Sequence, residues 1–375
     1  MSNIQPFKLH VEDSVLLDLK ERLSKARWPD QLNAPINDEW LYGTEMSYLK
    51  NLAEYWEKEF DWRANEEKFN NMGPQFTTKT KDGRRLHFLH KKSTNPNAKP
   101  LLISHGWPGS IFEFVKIIPL LTDEFHIVTP SIPGYFHSEP FHERGGTTYA
   151  TAADFHNLML QLGYNKYFVQ GGDWGAGVVR DMALQFPDHV LALHTNMPIP
   201  SGPPKDFDPK SLNEDEIKGM ARTKRFNDYE KAYQKIQGQK PQTLSYGLND
   251  SPIGLLGWIM EKFHAWTYNH MELLTKDEML TTVMLYWSTN TIGSSIRYYF
   301  ENGTGEPAMP GVERVARGKV TVPCACVHFP NEIYQFPVSW LHTGYNMIRY
   351  NRYDVGGHFA AFETPETLAK DSKFS

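Results

Sequence analysis

The sequence predicts an α/β protein with a mostly parallel central sheet, preceded by a helical extension and interrupted by a helical insertion. Three observations carry that prediction. Between residues 125 and 195, short apolar stretches alternate with segments of helical period, the signature of βαβ units. After Pro198 the strands cease for about a hundred residues rich in proline and aromatic side chains. The strand signal then returns at 320–329 and 347–353, so the intervening stretch reads as an insertion into a sheet-based unit.

Taken in order, residues 11–26 carry apolar side chains at helical spacing behind Glu12-Asp13-Ser14, and 46–60 form a second amphipathic run. Both predict helices ahead of the main fold. Residues 84–90 alternate as a strand does, while 100–104, with Leu101-Leu102-Ile103, read as a buried strand. Strands follow at 125–130, 167–170 and 190–195, with helical stretches at 149–162 and 177–186 between them. The charges of 79–92 read as the solvated face of a hairpin. Neither an internal repeat nor a low-complexity segment is found. This organisation divides the chain into an extension (1–80), a core built from 81–198 and 300–375, and a helical lid (199–299).

Composition narrows the function classes. The 375 residues are 40% hydrophobic, 22% charged and 13% aromatic, a globular balance with many rings available to line an apolar pocket. A net charge of -5 offers no basic stripe for nucleic acid or an anionic membrane surface. Two cysteines, Cys324 and Cys326, fall on one face of a strand and signal neither a disulfide framework nor a metal box. A reducing, cytoplasmic setting is expected. Residues 1–9 lack the apolar stretch a signal peptide needs, and no window approaches about 18 apolar residues. The Asn302-Gly303-Thr304 triplet is accordingly read as a chance sequon, since that chemistry needs secretion.

Chemistry concentrates at three turns. Gly171-Gly172-Asp173-Trp174-Gly175 lies between a strand and a helix expected to open near Gly177. That is the context of the nucleophile elbow of the α/β-hydrolase fold, with aspartate where such hydrolases usually carry serine. A structural turn with an Asp cap is the plain alternative. His105-Gly106-Trp107-Pro108-Gly109 follows the strand ending at Ser104, where that fold supplies half of an oxyanion hole. The backbone N–H groups of Trp107 and Trp174 are the candidates. Gly356-Gly357-His358-Phe359 follows the last strand, where the general base falls in the chain order nucleophile, acid, histidine. Glu332, after the strand at 324–329, occupies the acid position; Asp354 competes with it but stands so near His358 that it reads as a turn residue. Carboxylates displace at strained or activated sp³ carbons to give an alkyl-enzyme ester, so epoxides and haloalkanes compete as substrates.

A wider set of segments then comes together. Asp173-Trp174, His105-Gly106-Trp107-Pro108, Asn249-Asp250-Ser251-Pro252, Ser294-Ser295-Ile296-Arg297-Tyr298-Tyr299 and Gly357-His358-Phe359-Ala360-Ala361-Phe362-Glu363 resemble the microsomal-type epoxide hydrolases. That group includes insect juvenile-hormone and fungal enzymes. The resemblance covers nearly the whole chain, including the stretch 19–29 ahead of the catalytic fold. It implies an α/β-hydrolase fold and an Asp173, His358 and Glu332 triad. It also implies two lid tyrosines that hydrogen-bond the epoxide oxygen, falling on Tyr299 by the Arg-Tyr-Tyr match and on Tyr233 by spacing, with Tyr229 and Tyr246 as alternatives for the second.

The expected reaction converts an apolar organic epoxide to a vicinal diol through an ester on Asp173, with water and the epoxide as the only small-molecule partners and no cofactor or metal. The density of lid rings, including Trp258, Phe263, Trp266 and Tyr268, suits an apolar substrate. A haloalkane dehalogenase, a silent ligand-binding protein and an epoxide-opening cyclase are the rivals. The chain should resemble the family's soluble members, without their relatives' N-terminal anchor and with an abbreviated closing helix; dimerisation is what the resemblance suggests.

Overall fold

The computed structural model describes residues 4–32, 39–312 and 318–373. The first three residues of the 1–9 stretch and the terminal Ser375 lie outside the described residues. One nine-stranded sheet runs in the order β1-β2-β3-β5-β4-β6-β7-β8-β9. Its strands are β1 (Gln5–Phe7), β2 (Gln75–Lys79), β3 (Arg85–Lys91), β4 (Lys99–Ser104), β5 (Phe125–Pro130), β6 (Tyr167–Gly171), β7 (Val190–Thr195), β8 (Pro323–His328) and β9 (Asn346–Arg352). The first three strands pair antiparallel and the rest parallel.

Parallel strands buried on both faces read as continuous apolar runs, which is why Leu101, Leu102 and Ile103 of β4 are buried to within 1%. The strand order reverses at β4, between β5 and β6. In open α/β sheets, ligands bind beyond the carboxyl ends of the strands at such a switch point. The register Ser104↔Gly171 sets the turn after β4 beside the turn after β6.

Helices α1 (Asp13–Ser24), α2 (Met46–Lys58) and α3 (Trp62–Asn70) precede the sheet proper. Within it come α4 (Ile117–Leu121), α5 (Thr148–Gln161) and α6 (Asp173–Gln185). Between β7 and β8 the described residues form helices and no strand: α7 (Glu214–Arg225), a π-helical turn (Phe226–Glu230), α8 (Ala232–Gln239), α9 (Pro241–Asp250), α10 (Pro252–Trp266), α11 (Lys276–Thr289) and α12 (Ile292–Glu301). Helix α13 (Val338–Gly344) precedes β9, and α14 (Ala360–Glu363) and α15 (Pro365–Asp371) follow it. Among the described residues no helix is long and apolar enough to cross a membrane.

The N-terminal helices grip the inserted ones. The Tyr48 hydroxyl sits among the sulfurs of Met260, Met271 and Met279 at 3.5–3.9 Å. Tyr55 donates to Asp277 at 2.7 Å, and Arg22 reaches the Asp250 carbonyl and carboxylate at 2.8 and 2.9 Å.

Two expectations change. Helix α6 opens at Asp173 rather than near Gly177, because the glycine-rich elbow is itself the first turn. The 79–92 charges are not all solvated: Arg84 is 4% exposed and bonds Asp154 on α5 at 2.8 Å and Asp82 at 2.7 Å. A guanidinium enters the interior only when paired in this way. Cys324 and Cys326 are free and buried in β8. The side chain of Asn302 is spent internally, its Oδ1 accepting from the Thr148 N–H at 3.0 Å and its Nδ2 donating to the Tyr298 carbonyl at 2.9 Å.

Asp371 ties the far edge together by accepting from His194 Nε2 (2.9 Å), Asn351 Nδ2 (2.7 Å) and the Tyr353 hydroxyl (2.8 Å). Burial pushes its carboxyl up, but the bonds and charge from His194 and the bonds from Asn351 and Tyr353 outweigh this and hold it down at about 2. A depressed carboxylate contributes stability that is complete above its ordinary value of about 3.9 and is lost on further acidification. Asp371→Ala should destabilise the fold by roughly 3–5 kcal/mol in urea titration. The gap between wild type and Asp371→Asn should narrow as the pH falls from about 4 through about 2; a gap independent of pH would contradict this account.

Candidate active site

Asp173 is the first residue of α6, with Gly172 as its N-cap, and it adopts φ 49°. A left-handed backbone costs a non-glycine residue about 1–2 kcal/mol, and the close packing around the turn holds it there. A Cβ on Gly175 would come within 2.0 Å of the Ser104 carbonyl oxygen, and one on Gly106 within 2.2 Å of Asp173 Oδ1. Glycine at 175 therefore lets α6 seat against the end of β4, and glycine at 106 lets the carboxylate lie against the neighbouring turn. The Trp107 N–H donates to Asp173 Oδ1 at 2.8 Å. Trp174 follows Asp173 in the helix's first turn, where backbone N–H groups have no helical acceptor.

The other carboxylate oxygen, Asp173 Oδ2, lies 3.1 Å from His358 Nε2. Behind the ring, His358 Nδ1 lies 2.6 Å from Glu332 Oε1, which also accepts from the Ile333 N–H at 2.7 Å. The Glu332 side chain is wholly buried and that of His358 is 2% exposed. Asp354, the competing acid, is exposed after β9. Burial pulls the His358 imidazole down, but the charges of Glu332 and Asp173 and their hydrogen bonds hold it well above its ordinary value. Its backbone N–H donates to the Trp266 carbonyl at 2.9 Å, and the Trp266 ring meets the imidazole edge-on at 5.0 Å. Phe263 stacks on Phe359 at 4.5 Å. Trp258 Nε1 donates to Gln237 at 2.9 Å, and the Tyr268 N–H to Glu363 at 2.7 Å. Phe263 and Trp266 on α10 thus buttress the histidine turn.

Tyr233 on α8 and Tyr299 on α12 are 4% and 2% exposed. Tyr233 stacks on the Trp107 ring at 5.5 Å; Tyr299 stands edge-on to Trp107 at 5.6 Å and to Trp174 at 4.8 Å; the two tyrosine rings lie 5.8 Å apart. Tyr229 and Tyr246, the alternatives, are 79% and 69% exposed. Burial, reinforced by the Asp173 charge, holds both the Tyr233 and Tyr299 phenols well above their ordinary value.

Sequence reasoning gave no role to three residues around this site. Arg222 donates to the carbonyls of Glu332 (2.9 Å), Asn331 (2.8 Å) and Ala265 (3.2 Å), tying α7 to the acid's loop. Glu363 accepts the Tyr268 and Phe359 N–H groups at 2.7 and 3.0 Å, and burial pushes it up to about 7. Glu113 shares a cavity with Asp173 and His358. In sequence, the arginine and the two glutamates read as surface charge; Glu363 closes the segment 357–363, but that segment gives it no role, and no motif marks the other two.

A strand–turn–helix elbow carrying an aspartate, with a histidine and a second buried acid aligned behind it, defines an α/β-hydrolase-fold protein of the carboxylate-elbow type. Comparison with known proteins agrees: residues 99–277 match the alpha/beta hydrolase fold model and residues 4–114 match the epoxide hydrolase N terminus model. The chain is 38% identical to epoxide hydrolase 1 of Oryctolagus cuniculus over 98% of its own length and 88% of that protein. It superimposes on the structure of Aspergillus niger epoxide hydrolase with a TM-score of 0.88 and 32% identity, covering 99% of this chain and 95% of that one. Juvenile hormone epoxide hydrolase from the silkworm Bombyx mori gives a TM-score of 0.85 at 30% identity, covering 99% and 93%. The chain belongs to the epoxide hydrolase family.

Gly175→Ala should destabilise the protein by about 1–3 kcal/mol, the usual cost of overpacking. Gly247→Ala, where a Cβ meets nothing within 4 Å on α9, should be neutral or stabilising by up to about 1 kcal/mol. Equal unfolding midpoints for the two variants would remove the elbow-packing argument.

Proposed function

We propose that this enzyme opens an apolar organic epoxide to a vicinal diol through a covalent ester on Asp173. The observation that carries the proposal is the Asp173 carboxylate, with the Trp107 N–H on one oxygen and His358, backed by Glu332, on the other. Asp173 attacks an epoxide carbon, the C–O bond breaks, and the leaving oxygen takes a proton from Tyr233 or Tyr299. Both phenols are protonated at neutral pH, and each has a proton to give to an alkoxide, which is a much stronger base than a phenolate. Such assistance is worth about 10²–10⁴ in rate. Two O–H donors suit an alkoxide leaving group, which favours an epoxide over a haloalkane.

Ester formation neutralises Asp173, and with it goes part of what held His358 high. The imidazolium then releases its proton to solvent and stands as a free base for hydrolysis. His358, oriented by Glu332, takes a proton from water, whose oxygen adds to the ester carbonyl while the Trp107 and Trp174 N–H groups receive the oxyanion. Collapse breaks the ester C–O bond and the departing alkoxide recovers the proton from His358. The carboxylic acid left on Asp173 loses its proton to the tyrosinate and the imidazole takes one back from solvent, which restores the resting site. In this reading residues 199–299 form the lid that carries the acids, and 1–80 brace it.

Intact-protein mass spectrometry of His358→Gln with a panel of aryl and alkyl epoxides tests the ester: a gain of one epoxide mass is expected, absent when Asp173 is also changed to Ala. Diol production by the wild type with no adduct in the variant would replace the ester with direct attack by water. Tyr233→Phe and Tyr299→Phe should each slow adduct formation about 10²–10⁴-fold, with Tyr246→Phe unchanged. Halide release from chloroalkanes with epoxides untouched would overturn the tyrosine roles. In an NMR titration, Asp173→Ala should lower the His358 pKa; an unaltered value would remove the charge switch.

A further inference from the structure

The site contains an acid for which the reaction described above has no use. Glu113 lies on the short 3₁₀ turn Ile111–Phe114 that follows the Trp107 loop, a turn opened by Ser110, whose hydroxyl accepts the Phe112 N–H at 3.1 Å. Its carboxyl folds back over Gly109: a Cβ built on that glycine would sit 1.2 Å from Glu113 Oε1 and 2.4 Å from Cδ. The Gly109 carbonyl is fixed in turn by the Tyr286 hydroxyl at 2.6 Å. The carboxyl thus occupies the space that a side chain at 109 would fill.

From that position Glu113 lines a small cavity on the inner side of Asp173. Asp173, His358, Gln170 and Asn196 share its wall. Gln170 and Asn196 are 3% and 4% exposed and bond each other at 3.0 Å. The cavity has about 20 Å³ of room for water, enough for roughly one molecule, and a buried water needs two to four polar partners. Burial pushes the Glu113 carboxyl up to about 8, with His358 pulling it down and Asp173 pushing it up. At neutral pH it is then a neutral acid, able both to donate to a water and to accept from one.

We propose that this cavity is the station of the water that cleaves the ester, and that Glu113 is the positioning residue that holds it there. The inference rests on the ester mechanism above and assigns a place to its second half. Once Asp173 is alkylated, His358 Nε2 is released from the carboxylate. A water held by Glu113 then gives one proton to Nε2 while its oxygen bonds to the Asp173 Cγ. Glu113 undergoes no net change, and the bonds made and broken are those of ester hydrolysis.

The test separates the two half-reactions by rapid-quench mass spectrometry of the Asp173 adduct on otherwise wild-type protein. Glu113→Met keeps the length of the side chain and removes its hydrogen bonds. It should leave adduct formation within about twofold and slow adduct breakdown about 10- to 100-fold, the scale expected for a misplaced reactant. Ester should accumulate at steady state where the wild type shows little, and both kcat and KM should fall together. Glu113→Gln, which still donates and accepts, should restore breakdown to within a few-fold. Gly109→Ala, which displaces the carboxyl without removing it, should reproduce the Met phenotype. Breakdown unchanged in Glu113→Met, or formation and breakdown slowed by one common factor in all three variants, overturns the assignment. If His358→Gln forms no adduct, the ester mechanism itself fails.

Discussion

The Asp173 carboxylate is the charge around which the rest of the molecule is arranged. An anion this close to a protein interior is tolerable only when compensated on both oxygens. The compensation comes from two well-separated strands of the sheet: the Trp107 N–H beyond the central β4, and His358 beyond the edge strand β9. Neither contact can form unless α6 seats against the Ser104 carbonyl, so a backbone packing distance and an electrostatic requirement are met by the same glycine-rich turn. The left-handed backbone of Asp173 is the conformational cost of projecting that carboxylate, and strain of this kind persists only where surrounding structure over-determines it.

A second dependence runs through the helices between β7 and β8. Their aromatic faces supply the walls around Asp173, yet their connections to the sheet are long. Arg222 links α7 to the carbonyls of the Glu332 loop, Trp266 gives its carbonyl to the His358 N–H, and Ser294 on α12 donates to the Gly134 carbonyl at 2.5 Å. On the outer side, α1 and α2 hold α9, α10 and α11 through Arg22, Tyr48 and Tyr55. The N-terminal helices act as a brace on the element that carries Tyr233 and Tyr299. That gives a physical reason for an extension whose described residues supply none of the side chains lining the cavity beside Asp173.

Legibility in the sequence followed burial. Strands β5 and β7 were readable to the residue because five of the six positions in each are buried, and Asp173, Glu332 and His358 stood out as candidates because each follows a strand's carboxyl end. The elements that escaped are those whose pattern is set by one partner. Strand β1 has three residues, none of them buried. Strand β2 carries Thr-Thr-Lys against β3. Helix α3 is dominated by charge and is opened by Asp61 accepting the Ala64 N–H at 3.0 Å. Arg84, Arg222 and Glu113 escaped for the same reason. A charged residue reads as solvated until the fold brings its partner, and those partners lie 43 to 110 residues away for the bonds of Arg222 and 70 for the Arg84–Asp154 pair.

Four titratable groups around Asp173, namely His358, Glu332, Tyr233 and Tyr299, show how one small site can serve the two opposed steps of the proposed mechanism. Displacement at carbon needs an anionic Asp173 and proton-bearing phenols; hydrolysis of the resulting ester needs a neutral imidazole. In the resting site, the charges of Glu332 and Asp173 hold His358 high, while burial and the Asp173 charge hold Tyr233 and Tyr299 high. The first step therefore starts with both phenols protonated. In the proposed mechanism, alkylation deletes the Asp173 charge that acts on His358, Tyr233 and Tyr299 alike. Glu332, wholly buried and fixed by the Ile333 N–H, remains behind the imidazole to orient it, so His358 loses basicity without losing its direction. The phenols are eased downward by the same deletion, which favours the tyrosinate left by ring opening. On the proposed mechanism, a single neutralisation thus resets base and acids together, and the order of its two half-reactions follows from the electrostatics of the site.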